Sequence, residues 1–183
     1  MARRRYYRRA PRVVVARKKW ATCMKQGVIN PTTTATGKEG YATLAINTPQ
    51  TSVPTPVVVK AGNFKIQGDC FISVTSTGNL IDPAFQTILY VMYLPEAFNS
   101  VVGTGGIAGI IDAHPEWIMA WKVVDTNVGN TGTSNSNSFS FSSRLKRNLN
   151  SGDTIALVVV VSNTGSPVSV SVKYAAQYWT SAN

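Results

Sequence analysis

Apolar residues near the C-terminus of the chain recur at every second position. Between residues 168 and 179 they are Val168, Val170, Val172, Tyr174, Ala176 and Tyr178. A period of two places successive side chains on opposite faces of a β-strand. No segment of the chain shows ten or more residues with the period of a helix. The pattern therefore predicts an all-β fold.

Eight segments have the composition and length of strands. They are residues 20–29, 40–47, 64–75, 86–94, 117–124, 137–145, 154–161 and 168–179. The segments 86–94 and 154–161 are continuously apolar, which is typical of strands covered on both faces. Eight such strands suit a two-sheet sandwich, and we predict an eight-stranded antiparallel jelly roll. The intervening residues predict loops at 48–56, 95–116 and 125–136, with short helical turns at 81–86 and 95–100.

The first 19 residues carry almost the whole net charge of the protein. Of 18 basic and eight acidic residues, nine bases and no acid lie in this segment. Residues 20–183 are therefore left with one net positive charge out of the total of +10. Because like charges at this density oppose packing, we predict a disordered basic arm over residues 1–19 and one globular domain over residues 20–183.

We expect the arm to bind nucleic acid without reading its sequence. Basic side chains neutralise phosphates, and Tyr6 and Tyr7 offer rings on which unpaired bases stack, which favours single strands over duplex. The same run is typical of a nuclear import signal. The predicted binding residues of the arm are Arg3, Arg4, Arg5, Tyr6, Tyr7, Arg8, Arg9, Arg12, Arg17, Lys18 and Lys19.

A second basic cluster, formed by Arg144, Lys146 and Arg147, ends the sixth strand candidate and precedes a predicted turn at residues 150–153. Two interpretations remain open: the cluster extends the nucleic-acid surface beneath the arm, or it is a solvated strand end. At the base of the arm, Trp20 is interpreted as a core anchor rather than as a residue on which bases stack.

The side chains that most enzymes require are scarce. His114 is the only histidine, which excludes a histidine-based triad and a multi-histidine metal site. The glycine-rich segment 103–109 lacks the Gly-Lys-Ser/Thr ending of a phosphate loop and is interpreted as a flexible surface loop with no helix after it. Cys23 and Cys70 are expected to be small buried side chains. We predict no enzymatic activity, no metal and no cofactor.

Four segments together resemble one family of viral proteins. They are the start MARRRYYRRAPR, HPEWIMAWKVVD at 114–125, RLKRNLNSGDTIALVVVV at 144–161, and the end YAAQYWTSAN. With the β-only body, they resemble the capsid proteins of the circovirus-like group, small viruses with circular single-stranded DNA that encode a replication initiator. The resemblance implies a jelly-roll subunit, a closed icosahedral shell of about sixty copies, packaging of single-stranded DNA and nuclear delivery through an import receptor. It also implies that the loops make exterior or subunit contacts.

Other functions fit the same residues. A nucleic-acid-binding shuttle or silencing factor would use the arm without forming shells, and the coat protein of a small RNA virus would join a similar arm to a similar fold. A carbohydrate-binding lectin would leave the arm unexplained. The chain has no apolar run of 18 residues, which predicts no membrane insertion. The resemblance implies a location in the virion and, during assembly, in the host nucleus.

Overall fold

The computed structural model of the protein describes residues 20–34, 37–48, 58–74, 86–98, 106–124, 134–162 and 168–182. The strands are β1 (Ala21–Ile29), β2 (Thr32–Thr34), β3 (Gly37–Ile46), β4 (Val59–Val74), β5 (Thr87–Leu94), β6 (Ile118–Val124), β7 (Ser134–Leu149), β8 (Thr154–Ser162) and β9 (Val168–Ala182). Helix α1 spans Ile107–Ala113, and single turns of 3-10 helix span Glu96–Phe98 and Pro115–Trp117. Several predictions fall largely outside the described residues: the basic arm, the loop at 48–56 apart from its first residue, the helical turn at 81–86 apart from its last residue, and the loop at 125–136 apart from its last three residues.

The strands form two antiparallel sheets. The order is β1-β9-β4-β7 in the four-stranded sheet and β2-β3-β8-β5-β6 in the five-stranded sheet. The prediction of an all-β sandwich is therefore confirmed. Each of the eight predicted segments overlaps one strand. The ninth strand, β2, has three residues, and among the described strands it pairs with β3 alone.

Once β2 is set aside, the strands pair from the two ends of the chain inward. The pairs are β1 with β9, β3 with β8, β4 with β7, and β5 with β6. Successive pairs fall alternately in the four-stranded and the five-stranded sheet. Additional pairing of β9 with β4, and of β8 with β5, joins the pairs within each sheet. The chain is thus one long hairpin of eight strands that is folded over into two layers.

The main core lies between the sheets and follows the alternation of the sequence. All six apolar residues predicted to share one face of β9 are buried. Phe64 of β4 stacks on Tyr178, with 5.3 Å between ring centroids. The Tyr178 hydroxyl donates a hydrogen bond of 2.6 Å to the carbonyl of Leu44 in the opposite sheet. The two sheets are therefore joined by apolar packing and by a buried polar contact.

Strand β8 is buried on both faces, as its continuous apolar run predicts. Leu157 and Val159 belong to the core between the sheets, whereas Ala156 and Val158 belong to a second apolar cluster on the outer face of the five-stranded sheet. The chain between β5 and β6 closes this second cluster. We call its described residues, 95–98 and 106–117, the helical cover. It contributes the buried side chain Ile107.

The prediction of a polar loop over residues 95–116, with no helix after the glycine-rich segment 103–109, is wrong for α1. Seven residues are too few to show a helical period, and α1 forms where Ile107 and Ile110, three residues apart, reach the apolar outer face of the five-stranded sheet. The helical turn predicted at 95–100 is confirmed by Glu96–Phe98. No helix within the described ranges has the length and hydropathy to cross a bilayer.

Strands β4 and β7 are longer than predicted, because they pair with each other along most of their 16 residues each. Pairing supplies partners for backbone groups that polar residues such as Ser134 would otherwise leave to solvent. The basic cluster consequently lies within β7 rather than at its end. The turn predicted after it is confirmed, since Asp153 N–H donates to the Asn150 carbonyl at 3.1 Å.

Candidate nucleic-acid interface

The arm joins the body at Trp20, one residue before β1, which is an edge strand of the four-stranded sheet. Trp20 is half-buried and belongs to neither apolar cluster, so its interpretation as a core anchor is wrong. The Lys146 ammonium lies 5.2 Å from the centroid of the Trp20 ring, which is the geometry of a cation–π contact. The structure therefore brings one residue of the second basic cluster to the base of the arm.

Gly62 makes room for this contact. It lies between Lys146 of β7 and Trp179 of β9 in the sheet register. A Cβ at position 62 would lie 2.5 Å from Lys146 Cγ. The stem of the lysine therefore occupies the space that a larger residue at position 62 would fill.

The basic cluster does not form one patch, because successive strand residues point to opposite faces. Lys146 opposes Gly62, whereas Arg147 opposes the buried Ala61. The Arg147 guanidinium lies 5.8 Å from the centroid of the Tyr93 ring and donates a hydrogen bond to the Glu116 carbonyl. Arg147 thus holds the end of the helical cover, while Lys146 faces the base of the arm.

Arg144 lies in a bulge of β7, where the register with β4 shifts between Gly62 and Phe64. Asn63, on the other side of this bulge, has a φ of 54°, in the left-handed region that asparagine tolerates better than most residues. Arg144 is exposed. The structure therefore places the predicted cluster in three different environments.

The outer face of the four-stranded sheet carries three exposed lysines, Lys65, Lys146 and Lys173, one from each of three strands. We call this surface the lysine face. Lys65 lies beside Gln177, and Lys173 lies beside Asp69. Asp69 is the one acid on this face among the described residues, and it accepts a hydrogen bond of 2.7 Å from the Ser138 hydroxyl.

The sequence analysis did not single out Lys65 and Lys173 as candidate binding residues. The alternation of β4 and β9 places both lysines on the polar side of their strands, opposite the core. That these two strands are neighbours follows only from the sheet order. The sequence did contain one signal for a basic surface, which is the scarcity of acids on the polar sides of these strands. That signal indicates a basic surface only when the strands are known to share a sheet.

A shallow trough crosses the lysine face. Two adjoining depressions of about 430 Å³ and 480 Å³ share Gln67 and Asp69 and extend from β1 to β7. Ala175 and the backbone of Gly68 form part of the floor. The backbone of Gly68 therefore lies between the longer polar side chains of Gln67 and Asp69.

Exposed apolar side chains lie on the same outer face as the trough. Met24, Phe71 and Trp179 are 73%, 45% and 38% exposed, respectively. Aromatic rings at the surface of a basic groove are the groups on which single-stranded bases stack. The lysine face thus combines cations, neutral polar groups and apolar platforms.

The helical cover on the opposite side of the molecule has the opposite charge. Its described residues include Glu96, Asp112 and Glu116 and contain no lysine or arginine. The Glu116 carboxylate accepts a hydrogen bond from its own backbone N–H and a second from the His114 ring, and these bonds lower its pKa. The body is therefore nearly neutral in sum but divided between a basic face and an acidic face.

His114 and Glu116, two positions apart in the sequence, are in contact in the structure. His114 Nδ1 lies 3.1 Å from Glu116 Oε1, and the imidazole stacks on Trp117 with 3.9 Å between centroids. Within the described residues, no group of three or more His, Cys, Asp or Glu side chains is arranged to hold a metal ion. The pair belongs to an aromatic cluster of the helical cover that includes Phe98.

Both cysteines are free thiols. Cys70 is buried, as predicted, and burial raises its pKa to about 11. Cys23 is half-buried and packs against the main core. Burial therefore disfavours the Cys70 thiolate, which is the form of a cysteine that acts as a nucleophile.

A scan against protein-family models and a search of curated proteins found no match to this chain. The fold, the arm and the charges of the two faces are thus the observations from which its function is inferred.

Proposed function

We propose that the protein is a viral capsid subunit, a structural protein without catalytic activity that assembles into a small icosahedral shell. The shell packages single-stranded nucleic acid, and the resemblance to circovirus-like capsid proteins favours circular DNA. The basic arm binds the nucleic acid without sequence specificity and carries the nuclear import signal. The protein is accordingly expected in the virion and, during assembly, in the host nucleus.

The observation that carries this proposal is the strand order. An eight-stranded hairpin folded into sheets of order β1-β9-β4-β7 and β3-β8-β5-β6, with β2 as an addition to the edge, supports the jelly-roll fold that this proposal requires. Jelly rolls occur in viral capsid proteins, lectins and cupins. The arm of nine bases and no acid favours the capsid class, because a polycation binds the phosphates of nucleic acid and is not needed to bind a sugar.

The surface of the body supports assembly. Trp121 on β6 is 63% exposed, and the outer face of the five-stranded sheet also exposes Tyr41 of β3. Large exposed apolar side chains and a low charge are typical of a surface that other subunits cover. A monomer that functions alone would carry more charge over its surface.

The charge of the arm fits a packaging role. In a shell of about sixty equivalent subunits, the arms would supply ~540 positive charges, which is the order of magnitude of the phosphates in a small genome. Counterion release makes such binding steeply dependent on salt.

The test is electron microscopy of the purified full-length protein together with its nucleic-acid content. We expect closed shells of uniform size that contain nuclease-protected nucleic acid. A full-length variant with Arg3, Arg4, Arg5, Arg8 and Arg9 replaced by glutamine should lose most of that content. DNase and RNase treatment after disassembly identifies the packaged nucleic acid, and protected RNA would favour a coat protein of an RNA virus.

One result would refute the proposal. If the protein remained a monodisperse monomer across protein concentrations and salt concentrations, with or without nucleic acid, it would not be a capsid subunit. Monomers that bind nucleic acid through the arm would instead favour the shuttle or silencing factor.

A further inference from the structure

We propose that the lysine face is a second nucleic-acid contact, on the body itself, and that the subunit therefore directs its four-stranded sheet toward the packaged strand. This inference rests on the proposed function and extends it from the arm to Lys65, Lys146 and Lys173. The occupant of the trough is single-stranded nucleic acid rather than another copy of the chain.

Charge complementarity identifies the occupant. The lysine face has three exposed lysines against one acid among its described residues, and that acid is hydrogen-bonded to Ser138. The helical cover has acids and no lysine or arginine in its described residues. A polyanion held by the arm is attracted to the first surface and repelled by the second. The charge distribution of the body thus sets the orientation of the subunit relative to the strand.

The position of the arm makes this contact continuous. The arm ends at Lys19, and the next residue, Trp20, contacts Lys146 on the lysine face. A strand bound by the last cations of the arm therefore reaches the lysine face without crossing another part of the body. From Trp179 to Lys173, β9 extends over six residues, which is about 20 Å and matches about six stacked nucleotides at ~3.4 Å each.

The chemistry of the lysine face suits a single strand of any sequence. Lysine ammonium groups pair with phosphates as point charges, without the fixed geometry of arginine. Gln67 and Gln177 offer both donors and acceptors to whichever base is present. Trp179 provides an exposed ring for stacking, and every base has a face that can stack. None of these groups requires a particular base.

The principal experiment compares two full-length double variants of equal charge. Lys65→Gln/Lys173→Gln removes two cations from the lysine face. Lys25→Gln/Lys122→Gln removes two cations elsewhere: Lys25 donates to the Thr43 carbonyl at 2.6 Å, and Lys122 lies on β6 of the other sheet. Binding of a fluorescent oligothymidylate of about 30 nucleotides is measured over a range of salt concentrations.

We expect the lysine-face variant to bind about tenfold more weakly at low salt and to lower the slope of log K against log salt by about 1.4, or ~0.7 for each lost phosphate contact. The control variant should keep the slope of the wild-type protein. Equal losses in both variants would mean that only net charge matters, and no loss in either would mean that the face is not used. Both results overturn the inference.

A second measurement uses tryptophan. Trp179→Ala should weaken binding by about five- to a hundredfold, the usual effect of losing a stacked base, whereas Trp121→Ala, on the other sheet, should leave it unchanged. Trp179→Phe should retain most of the affinity but lose the part of the fluorescence quenching that Trp179 contributes. Unchanged affinity in Trp179→Ala would count against the stacking role.

Amine acylation of the wild-type protein tests the alternative occupant without any substitution. Nucleic acid should protect Lys65 and Lys173 more than Lys122. Protection of these two lysines in shells that contain no nucleic acid would show that a neighbouring subunit covers the face, and the inference would fail. The proposed function would survive that result, since it fails only if shells do not form or if the arm variant packages as well as the wild type.

Discussion

The two sheets have outer faces of opposite character, although both are antiparallel and share one core. The outer face of the four-stranded sheet is open to solvent and carries Lys65, Lys146 and Lys173. The outer face of the five-stranded sheet carries Ala156 and Val158, which the helical cover buries. One sheet therefore presents a charged surface, whereas the other serves as the floor of a second apolar cluster.

This difference shows how a sandwich divides its two tasks. A sheet with a covered outer face gains additional apolar burial and contributes stability. A sheet with an open outer face leaves its polar side chains available to a partner. In this protein the arm is attached to the open sheet, so stability and binding are assigned to different layers.

The largest expected effect comes from placing a charge at equivalent positions on the two outer faces. Val158→Lys would bury an unpaired ammonium beneath the helical cover, and we expect a loss of more than about 4 kcal/mol in the free energy of unfolding. Ala175→Lys, at the centre of the open lysine face, should cost less than about 1 kcal/mol. Urea unfolding followed by tryptophan fluorescence measures both changes.

In case Val158→Lys prevents folding altogether, a second pair of smaller substitutions is made at the same two positions. Val158→Thr keeps the shape of the side chain but buries a hydroxyl, at a cost of about 1–3 kcal/mol, whereas Ala175→Ser should be close to neutral. If the two faces responded equally, the helical cover would not close the five-stranded sheet in solution.

An intermediate effect on the free energy of unfolding is expected at Tyr93, which contacts both the helical cover and a strand of the four-stranded sheet. The Tyr93 hydroxyl donates a hydrogen bond of 2.7 Å to Asp153 Oδ2, and its ring contacts Trp117 of the helical cover and Arg147 of β7. Asp153 is buried and retains one other hydrogen bond, from Asn150 N–H. Tyr93→Phe should therefore cost about 2 kcal/mol near neutral pH.

The same residue predicts a dependence on alkaline pH. Burial and the hydrogen bond to Asp153 raise the pKa of Tyr93 to about 12, from an ordinary value of 10.0. A raised pKa in the folded state means that the stabilising contribution is complete below pH 10 and is lost as the pH rises toward 12. The difference in urea midpoint between the wild type and Tyr93→Phe should narrow over that interval. A constant difference in midpoint would show that the hydroxyl does not make this bond. The alkaline titration of Cys70 occurs in both proteins, so its effect cancels in the difference between their midpoints.

The smallest expected effect concerns the single acid of the lysine face. Asp69→Asn removes a negative charge beside Lys173 and should raise the affinity for oligothymidylate by about two- to fivefold at low salt, as expected for a surface charge. The matched change Asp112→Asn, on the helical cover, should leave affinity unchanged. An equal increase in both variants would mean that the nucleic acid does not distinguish the lysine face from the helical cover.

Much of the fold could be predicted because strand patterns are local. The alternation of β9 correctly identified its buried side, and the continuous apolar run of β8 correctly indicated cover on both faces. The seven residues of α1 could not be predicted, because the helix depends on an apolar surface contributed by distant strands. The interpretation of Trp20 as a core anchor was wrong for a similar reason, because its contact Lys146 is remote in sequence.

The candidate site was predicted only in part. The basic arm and Lys146 were identified from charge alone, and the arm residues stay a prediction because they lie outside the described residues. Arg144, Lys146 and Arg147 were grouped by their proximity in sequence, but the pleat of β7 and its bulge direct them to different surroundings. Lys65 and Lys173 were missed because neither has a basic neighbour along the chain.

The sequence by itself determined which side chains of each strand are apolar and that the net charge is concentrated in residues 1–19. These properties are local: they follow from the composition of each segment and from the alternation of apolar and polar residues along it. Only the tertiary structure decided which strands become neighbours, as when Cys23 and Thr180 meet across 157 positions of the chain. That choice depends on packing between distant segments, and it is what gathers separate lysines into one face and places the acids on the other.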